Sequence, residues 1–547
     1  MTSYQNAAAL LQAMPLPLGT SLPPNDPHAV SVSMPLWEHV VGYEEGRPEV
    51  MNALACGYPR FFRHPFVQKL QAHLQQTLDA YKEVSKTSTD DWELMVVPTE
   101  ATAQRLRTFL VTQEDVSEAS KANVSVHNVQ NGLVWAVVFQ KELLTAASRY
   151  WQHTGEILTS RHAEAVLKTL QSSDQATTLR LKNTDAHVAL RQRIAGLYFD
   201  DATAAATASR QNVFVYPTGM GAIFAALRLL THFDPKGKAI LFGFPYLDSL
   251  KLLQRSQWCP NGVHFFPVGG DEQLKQVEEI LKTEKVLAIF TEFPGNPLIS
   301  VPDLERLAQL AHAHGTYLVV DDTVGSYNVN VLQHGTTDIV LTSLAKIFSG
   351  SCNLIAGSLV LNPQSAAFSK FSHHLLTTQD SFLFEDDAKA LVQASHDLEP
   401  RLVAVNATAN VIVERLSKHP LVKSIYYPSV ADAAAIARYS HFVAPSRKST
   451  KSQGYGPLFS VVFHGGNPVA RAFYDNLHVA KGPSLGTNFT LACPYTQIAH
   501  FYELDHAEAC GVDRNLVRIS IGLEDTETLW QAVEVALKAA TEAQSQN

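Results

Sequence analysis

The sequence predicts an α/β protein: a mostly parallel sheet with helices on both faces, followed by a smaller C-terminal α+β domain. Short apolar runs recur between residues 213 and 341, as expected for strands that are buried on both faces of a parallel sheet. Segments with helical periodicity separate these runs, which is the pattern of βαβ units. From about residue 395, helical and strand-like patterns alternate again and indicate a second, smaller unit.

The composition is that of a globular protein and argues against several classes of function. Of the 547 residues, 46% are hydrophobic and 17% are charged, with a net charge of −9. No block of Lys and Arg interleaved with aromatic residues is present, so we expect no nucleic-acid partner. No run approaches the roughly 18 apolar residues of a membrane span, and the first residues do not resemble a signal peptide. The five cysteines form no Cys-x-x-Cys pair, which argues against a metal site and favours reduced thiols in a cytoplasmic protein.

The N-terminal part of the chain divides into an arm, a first helix and an insertion. Five prolines between residues 15 and 27 predict an extended arm with little regular structure up to about Glu45, because proline fixes φ and lacks an N–H. Apolar residues at helical spacing predict a helix from Pro65 to Tyr81. The next stretch is polar and mixed, with two strand-like runs, and we expect an inserted packing or interface element. The expected segments are an arm and first helix over residues 1–80, an insertion of unknown role over 81–205, a large domain over 206–394 and a small domain over 395–547.

Regular elements follow in the large domain, beginning at a glycine turn. Thr218-Gly219-Met220 connects a short apolar run to a helix, and the N–H groups at such a helix start attract phosphate. Asp303 as an N-cap and Gly315 beyond the C-terminus delimit a helix between two apolar runs, which makes a βαβ unit. The predicted strands are 213–216, 286–290, 317–320 and 339–341, and the helix of the βαβ unit is 303–313.

Polar side chains collect where these strands end. Asp321 follows one strand, and Ser343 and Lys346 follow the next. Ligands of an open parallel sheet bind beyond the carboxyl ends of its strands, so these groups should face the turn at Gly219. A carboxylate, a hydroxyl and a lysine beside a phosphate-binding turn suit a phosphorylated cofactor with a basic ring nitrogen and an aldehyde. That description fits pyridoxal 5'-phosphate.

Each of these groups has an expected task toward that cofactor. The backbone N–H groups of Gly219 and Met220 would hold the phosphate at the positive end of the helix, and Ser343 would add a hydroxyl. Asp321 would keep the ring nitrogen protonated. Lys346 would bind the aldehyde and, once displaced by the substrate amine, would move protons as a general base.

The order and spacing of the motifs resemble one known family. The segment from Asp338 to Lys346, followed by Gly350 and by Ala356-Gly357-Ser358, resembles the lysine signature of the Cys/Met metabolism family of pyridoxal phosphate enzymes. That family has the aspartate aminotransferase type of fold, known as fold type I. The resemblance covers residues 28–80 and 211–525.

Further motifs extend the resemblance and imply site residues. Tyr246 stands where the family has a tyrosine that stacks on the cofactor ring, and Asn296 stands where an asparagine contacts the phenolate side of the cofactor. Arg518 lies in a motif similar to Arg-x-Ser-x-Gly-x-Glu, whose arginine binds the substrate carboxylate with a bidentate guanidinium. The implied cofactor-binding residues are Tyr58, Arg60, Thr218, Gly219, Met220, Tyr246, Asn296, Asp321, Ser343 and Lys346, and the implied substrate-binding residues are Asn296, Ser484 and Arg518.

The resemblance also implies a partner, namely a second copy of the chain. Tyr58-Pro59-Arg60 resembles the family's Tyr-x-Arg, whose side chains reach the cofactor phosphate of the neighbouring subunit. It thus implies a homodimer with shared active sites, or a homotetramer where dimers pair. Near these residues the chain most resembles fungal cystathionine γ-synthases. Three features depart from the family: Ala345 replaces the usual threonine, Ser351 replaces a common histidine, and Gly219 follows Arg60 by 159 positions where the family has a few dozen.

The activity implied by the resemblance is γ-replacement on an O-acyl-L-homoserine. Cysteine is the leading acceptor and would give cystathionine, while sulfide or a carbon nucleophile are the other acceptors. Lys346 is the expected catalytic base, with Tyr58 and Tyr246 as auxiliary acid or base groups. Two alternatives are a γ- or β-lyase of a sulfur amino acid, and an inactive or regulatory homologue, which Ala345 and the insertion suggest.

Overall fold

The computed structural model describes residues 3–84, 92–171, 180–199, 201–378, 380–444 and 454–546. Residues 3–44 contain two helices and a two-stranded ribbon, so the expectation of little regular structure before Glu45 is wrong. The first helix forms because the prolines all follow it, and its Ala7 and Leu10 are buried in the main core. The elements are α1 (Ser3–Gln12), β1 (Ser21–Leu22), β2 (Ser31–Val32), α2 (Trp37–Glu44), α3 (Pro48–Met51) and α4 (Pro65–Val84).

Residues 92–171 form a small α/β unit that packs against the large domain. Both strand-like runs expected here are strands, and a third completes an antiparallel sheet in the order β3-β5-β4. Phe109 of this unit stacks on Trp258 of the large domain, with 4.9 Å between the ring centroids, so the two share one core. Of the expected insertion, residues 85–91, 172–179 and 200 lie outside the described residues. The elements are β3 (Trp92–Val97), α5 (Glu100–Val111), α6 (Glu118–Ala122), β4 (Ser125–Val129), β5 (Val134–Gln140), α7 (Leu144–Thr154) and α8 (Ser160–Gln171).

The large domain is built on a seven-stranded sheet in the order β6-β12-β11-β10-β9-β7-β8, and every strand except β12 runs in the same direction. The predicted mostly parallel sheet is confirmed. Its strands are β6 (Val213–Tyr216), β7 (Lys238–Phe242), β8 (Val263–Phe266), β9 (Val286–Glu292), β10 (Leu318–Asp321), β11 (Ile339–Ser343) and β12 (Gly357–Leu361). Its helices are α9 (Asp185–Tyr198), α10 (Ala202–Gln211), α11 (Gly219–Phe233), α12 (Leu247–Leu253), α13 (Asp271–Thr283), α14 (Leu304–Ala313), α15 (Phe368–Thr378) and α16 (Glu385–Ala394).

The small domain has a five-stranded sheet in the order β13-β14-β17-β16-β15, antiparallel except between β15 and β16. Helices α17, α19 and α22 share a hydrophobic core with its strands. The strands are β13 (Val422–Tyr426), β14 (Leu458–Phe463), β15 (Ala480–Lys481), β16 (Leu491–Pro494) and β17 (Val517–Ser520). The helices are α17 (Leu398–Ser417), α18 (Ala433–His441), α19 (Gly466–Asn476), α20 (Tyr495–Ala499), α21 (Leu504–Ala509) and α22 (Thr526–Ser545).

The N-terminal arm runs along both domains of its own chain. The Val30 N–H donates to the Cys352 carbonyl at 2.9 Å, and the Met34 N–H donates to the Lys481 carbonyl at 3.0 Å. Trp37 is buried in the core of the small domain. No helix in the described ranges is long and apolar enough to cross a bilayer.

Candidate active site

A cavity of about 540 Å³ lies between the two domains, at the carboxyl ends of β9, β10 and β11. This is where ligands of an open parallel sheet bind. The arm and the segment after α20 close its other sides. Of the residues expected from the sequence, those that line the cavity are Tyr58, Arg60, Gly219, Met220, Tyr246, Asn296, Asp321, Ser343, Lys346 and Arg518.

Lys346 follows β11 and points its amine into the cavity. Its Nζ lies 3.5 Å from the Tyr58 hydroxyl and 3.4 Å from the Ser484 hydroxyl, and 4.4 Å from the centroid of the Tyr58 ring. No carboxylate among the described residues forms an ion pair with it. The amine therefore contacts only hydroxyl groups, and no ion pair prevents it from reacting with an aldehyde. Ser484 does not line the cavity directly but supports this amine.

The turn before α11 fits a phosphate group. Thr218 is the N-cap of the helix, and the N–H groups of Gly219 and Met220 belong to the first turn, whose donors have no intrahelical acceptor. A Cβ at Gly219 would lie 2.9 Å from Ser343 Cβ, so only glycine lets the turn approach Ser343 this closely. The Thr218 hydroxyl instead accepts from the Gly221 N–H and donates to the Gly155 carbonyl, both at 2.8 Å, so it shapes the turn and does not line the cavity.

Two buried carboxyls lie at the ends of neighbouring strands. Asp321 ends β10 and accepts from the Thr323 N–H at 2.9 Å, and burial raises its pKa. Glu292 ends β9 and accepts from the N–H groups of Tyr246 and Asn296. Burial, together with the charge of Asp321, raises the pKa of Glu292 to about 8. If Glu292 is protonated, Asp321 is the carboxyl of the two that carries the negative charge. A cationic ring nitrogen, as in a pyridinium, would stabilise that charge.

Arg518, on β17, offers a guanidinium on the opposite side of the cavity. It donates to the Asn296 side-chain oxygen and to the Ser484 carbonyl, both at 3.0 Å, and lies over the Tyr495 ring at 4.8 Å. The side chain is buried, yet all these partners are neutral. No described carboxylate neutralises it, so the site has a buried positive charge suited to the carboxylate of an amino acid.

Arg60 and Tyr58 both line the cavity, and the expected contact with the cofactor of a neighbouring subunit stays a prediction. Arg60 Nη1 donates to Asp248 Oδ2 at 2.5 Å and to the Gln152 carbonyl at 2.8 Å, and Nη2 donates to the Tyr246 hydroxyl. The arm brings them there because it follows the surface of its own two domains. Asp248 and Gln152 were not expected from the sequence.

The two tyrosines of the cavity differ in acidity. Burial would raise the pKa of Tyr58, but the positive charges of Lys346 and Arg60 outweigh it and hold this pKa below its ordinary value. For Tyr246, burial dominates over the charge of Arg60, and its pKa lies well above the usual range. Tyr58 is therefore the phenol better able to lose its proton, and the resulting phenolate can act as a base near neutral pH.

Comparison with known proteins shows the family of this chain. Residues 180–538 match the family of Cys/Met metabolism PLP-dependent enzymes, and residues 66–159 match the N-terminal domain of fungal trans-sulfuration enzymes. The chain is 34% identical to a cystathionine gamma-synthase of Neurospora crassa, over 96% of this chain and 99% of that protein. It is also 34% identical to a cystathionine gamma-synthase-like enzyme of Amanita muscaria, over 96% and 97%.

A solved structure shares the fold. The cystathionine gamma synthase of Xanthomonas oryzae pv. oryzae, in complex with aminoacrylate and cysteine, superposes with a TM-score of 0.57 and 22% identity over 66% of this chain and 87% of that one. Fold type I and the pyridoxal phosphate cofactor, both expected from the sequence, are confirmed.

Proposed function

The chain belongs to the Cys/Met metabolism family of pyridoxal phosphate-dependent enzymes, and from that premise we propose that it catalyses γ-replacement on an O-acyl-L-homoserine. Cysteine is the proposed acceptor, with sulfide and carbon nucleophiles as the other acceptors. The observation that carries the proposal is that the Arg518 guanidinium and the Lys346 amine lie in one cavity, and that neither forms an ion pair with a carboxylate of the described residues.

The chain's own residues divide the work as follows. Arg518 binds the substrate carboxylate and, with Asn296 holding the guanidinium, fixes the orientation of the carbon chain. The bound cofactor withdraws electrons from the carbon that carries the substrate amine. Lys346 removes the proton from Cα and, after passing that proton on, removes a proton from Cβ; the Cγ–O bond then breaks and the acyloxy group leaves as a carboxylate.

The second half of the reaction uses Tyr58. The acceptor thiol loses its proton to the Tyr58 phenolate, which the charges of Lys346 and Arg60 stabilise, and its sulfur bonds to Cγ. Lys346 then returns protons to Cβ and Cα. The crystal structure of the Xanthomonas protein contains cysteine, which supports cysteine as the acceptor.

The competing activity is a γ- or β-lyase, in which water releases a keto acid and ammonia. The holoenzyme is incubated with O-acetyl- or O-succinylhomoserine, with and without cysteine, and the products are identified by mass spectrometry. We expect cystathionine to form and keto acid to be a minor product in the presence of cysteine. Keto acid formed at the same rate with and without cysteine would contradict γ-replacement and favour the lyase.

We also propose a cytoplasmic location. The five cysteines are all buried and free, which suits a reducing compartment.

A further inference from the structure

We propose that His500 binds the ammonium group of the acceptor amino acid, and that this contact makes the site prefer cysteine to a thiol without an amine. The inference deepens the proposed function and rests on it, because it assigns an acceptor subsite within the same cavity. His500 directly follows α20, and the side chains that contact it belong to the large and small domains.

His500 lines the cavity close to the group that binds the substrate carboxylate. Its ring packs against Phe244 and Tyr495, with 5.2 Å and 5.8 Å between the ring centroids. The same Tyr495 ring lies with its centroid 4.8 Å from the guanidinium carbon of Arg518. His500 is therefore one aromatic ring away from the proposed position of the first substrate, which is a suitable place to bind the second.

Glu503 fixes both the orientation and the tautomer of the His500 ring. Its Oε1 lies 3.0 Å from His500 Nδ1, and its Oε2 accepts from Lys251 Nζ at 3.1 Å. Burial would raise the pKa of Glu503, but the hydrogen bonds from His500 and Lys251 outweigh it and hold this pKa below its ordinary value. An ionised carboxylate can only accept, so the neutral His500 ring carries its proton on Nδ1.

The other ring nitrogen, His500 Nε2, then has a lone pair and no donor. Burial lowers the pKa of His500 despite the opposing hydrogen bond to Glu503, so the ring is neutral at pH 7. The residue is 3% exposed, and Nε2 has no hydrogen-bond partner in the part of the chain that the structure describes. An unpaired buried acceptor costs free energy. In the wall of a substrate cavity, it indicates where a donor of a bound molecule belongs.

The ammonium group of cysteine is the donor that suits this acceptor. Its N–H groups can donate to His500 Nε2, and the negative charge of Glu503 behind the ring favours a cationic donor. Sulfide has no such group. The amine and the sulfur of cysteine are separate atoms, so the amine can be held at His500 while the sulfur stays free to bond to Cγ.

Two thiols that differ only in the amine test this subsite. At saturating O-acetyl- or O-succinylhomoserine, whichever the wild type uses faster, kcat/KM is measured for cysteine and for 3-mercaptopropionate, which is cysteine without its amine. His500→Phe keeps an aromatic ring beside Phe244 and Tyr495 but has no ring nitrogen. We expect the ratio of the two kcat/KM values to fall about 10-fold or more, as for the loss of a hydrogen bond to a charged donor. His506→Phe changes an exposed histidine that does not line the cavity, and this control should keep the wild-type ratio.

The outcomes separate the subsite from the proposed function. An unchanged ratio in His500→Phe, with both thiols still reacting, would overturn the inference and would leave only water as a partner for Nε2. If the wild type forms a thioether with neither thiol, the proposed function is refuted and the subsite with it. Circular dichroism confirms the folding of each variant. If His500→Phe does not fold, Glu503→Leu, which removes the carboxylate that fixes the tautomer, should lower the same ratio, and a wild-type ratio there would overturn the inference.

Discussion

The guanidinium of Arg60 is buried against the carboxylate of Asp248, with 2.5 Å between Nη1 and Oδ2, although 188 positions separate the two residues in the sequence. This contact joins the N-terminal arm to the start of α12 at the edge of the cofactor cavity. The charge of Arg60 also helps to lower the pKa of Asp248 despite the opposing effect of burial. The pair holds the arginine in place before any phosphate arrives.

Asp248→Asn should destabilise the cofactor-free protein more than the holoenzyme. The substitution leaves Arg60 buried without a countercharge, which costs about 3 kcal/mol, and a bound phosphate dianion would supply that charge. Thermal unfolding with and without pyridoxal phosphate measures the difference. Glu527→Gln, which breaks the solvent-exposed pair with Arg415, is the control and should change the unfolding temperature little, and equally in both forms. If Asp248→Asn lowers the thermal stability of the cofactor-free protein and of the holoenzyme equally, the proposed contact between Arg60 and phosphate is contradicted.

Arg518→Lys should weaken substrate use without loss of cofactor. Lysine keeps the charge but loses the planar fork that binds a carboxylate through two hydrogen bonds. Because a charge-assisted hydrogen bond contributes about 1.5–3 kcal/mol, kcat/KM for the O-acylhomoserine should fall roughly 10- to 100-fold. The yellow absorbance of the bound cofactor should stay unchanged. A variant with wild-type kcat/KM would show that the substrate carboxylate binds elsewhere.

Tyr58→Phe should change the pH profile of kcat/KM. In the wild type, the positive charges of Lys346 and Arg60 lower the pKa of Tyr58, so activity rises with pH at values below those typical of a free phenol. Phenylalanine cannot accept a proton, and we expect this rising limb to disappear with a loss of about 100-fold. Tyr502→Phe alters an exposed tyrosine at the cavity mouth and should keep the wild-type profile. An unchanged profile in Tyr58→Phe would assign the limb to another group.

Asp322→Asn should stabilise the protein at neutral and alkaline pH. Asp322 accepts hydrogen bonds from the hydroxyls of Tyr198 and Thr342, and burial raises its pKa to about 7. The folded carboxyl stays protonated while the unfolded one ionises, so wild-type stability declines as the pH rises from about 4 through 7. Asparagine stays neutral, so the variant should not show this decline. Its free energy of unfolding at pH 8 should exceed that of the wild type by about 2 kcal/mol.

Urea unfolding between pH 4 and pH 8 measures this gain, and Asp338→Asn is a matched control. Asp338 is a buried aspartate that accepts from the Leu318 N–H and pairs with His312 at 3.0 Å, so its substitution should lower stability. If Asp322→Asn and the wild type lose stability in parallel over this range, the Asp322 carboxyl is not the source of the decline.

The parts of the site that the sequence predicts are those fixed by local pattern. Asp321 and Lys346 follow apolar runs that are buried on both faces of the sheet, so their place at the carboxyl ends of strands follows from the strands themselves. The turn at Gly219 was predictable because a glycine and a helix start are adjacent in the sequence. The helix at the start of the arm was not predictable from the sequence. The prolines suggested an extended chain, and the burial of Ala7 and Leu10 depends on tertiary packing.

The placement of Arg60 could not be predicted for a related reason. Its partners Gln152 and Asp248 lie 92 and 188 positions away, and no periodicity connects positions so distant. The resemblance to a family implied the right residue, and the contact with a neighbouring subunit that it also implies stays a prediction. The 92–171 unit, which the sequence shows only as polar chain with two strand-like runs, contributes one of these partners, the Gln152 carbonyl.

The most direct test of γ-replacement is to run the reaction of O-acylhomoserine with cysteine in D₂O and locate deuterium in the product by mass spectrometry and NMR. If Lys346 moves protons at both carbons, cystathionine should carry deuterium at the Cα and Cβ of its homoserine-derived half. Cystathionine without deuterium at Cβ, or keto acid as the main product, would contradict the mechanism.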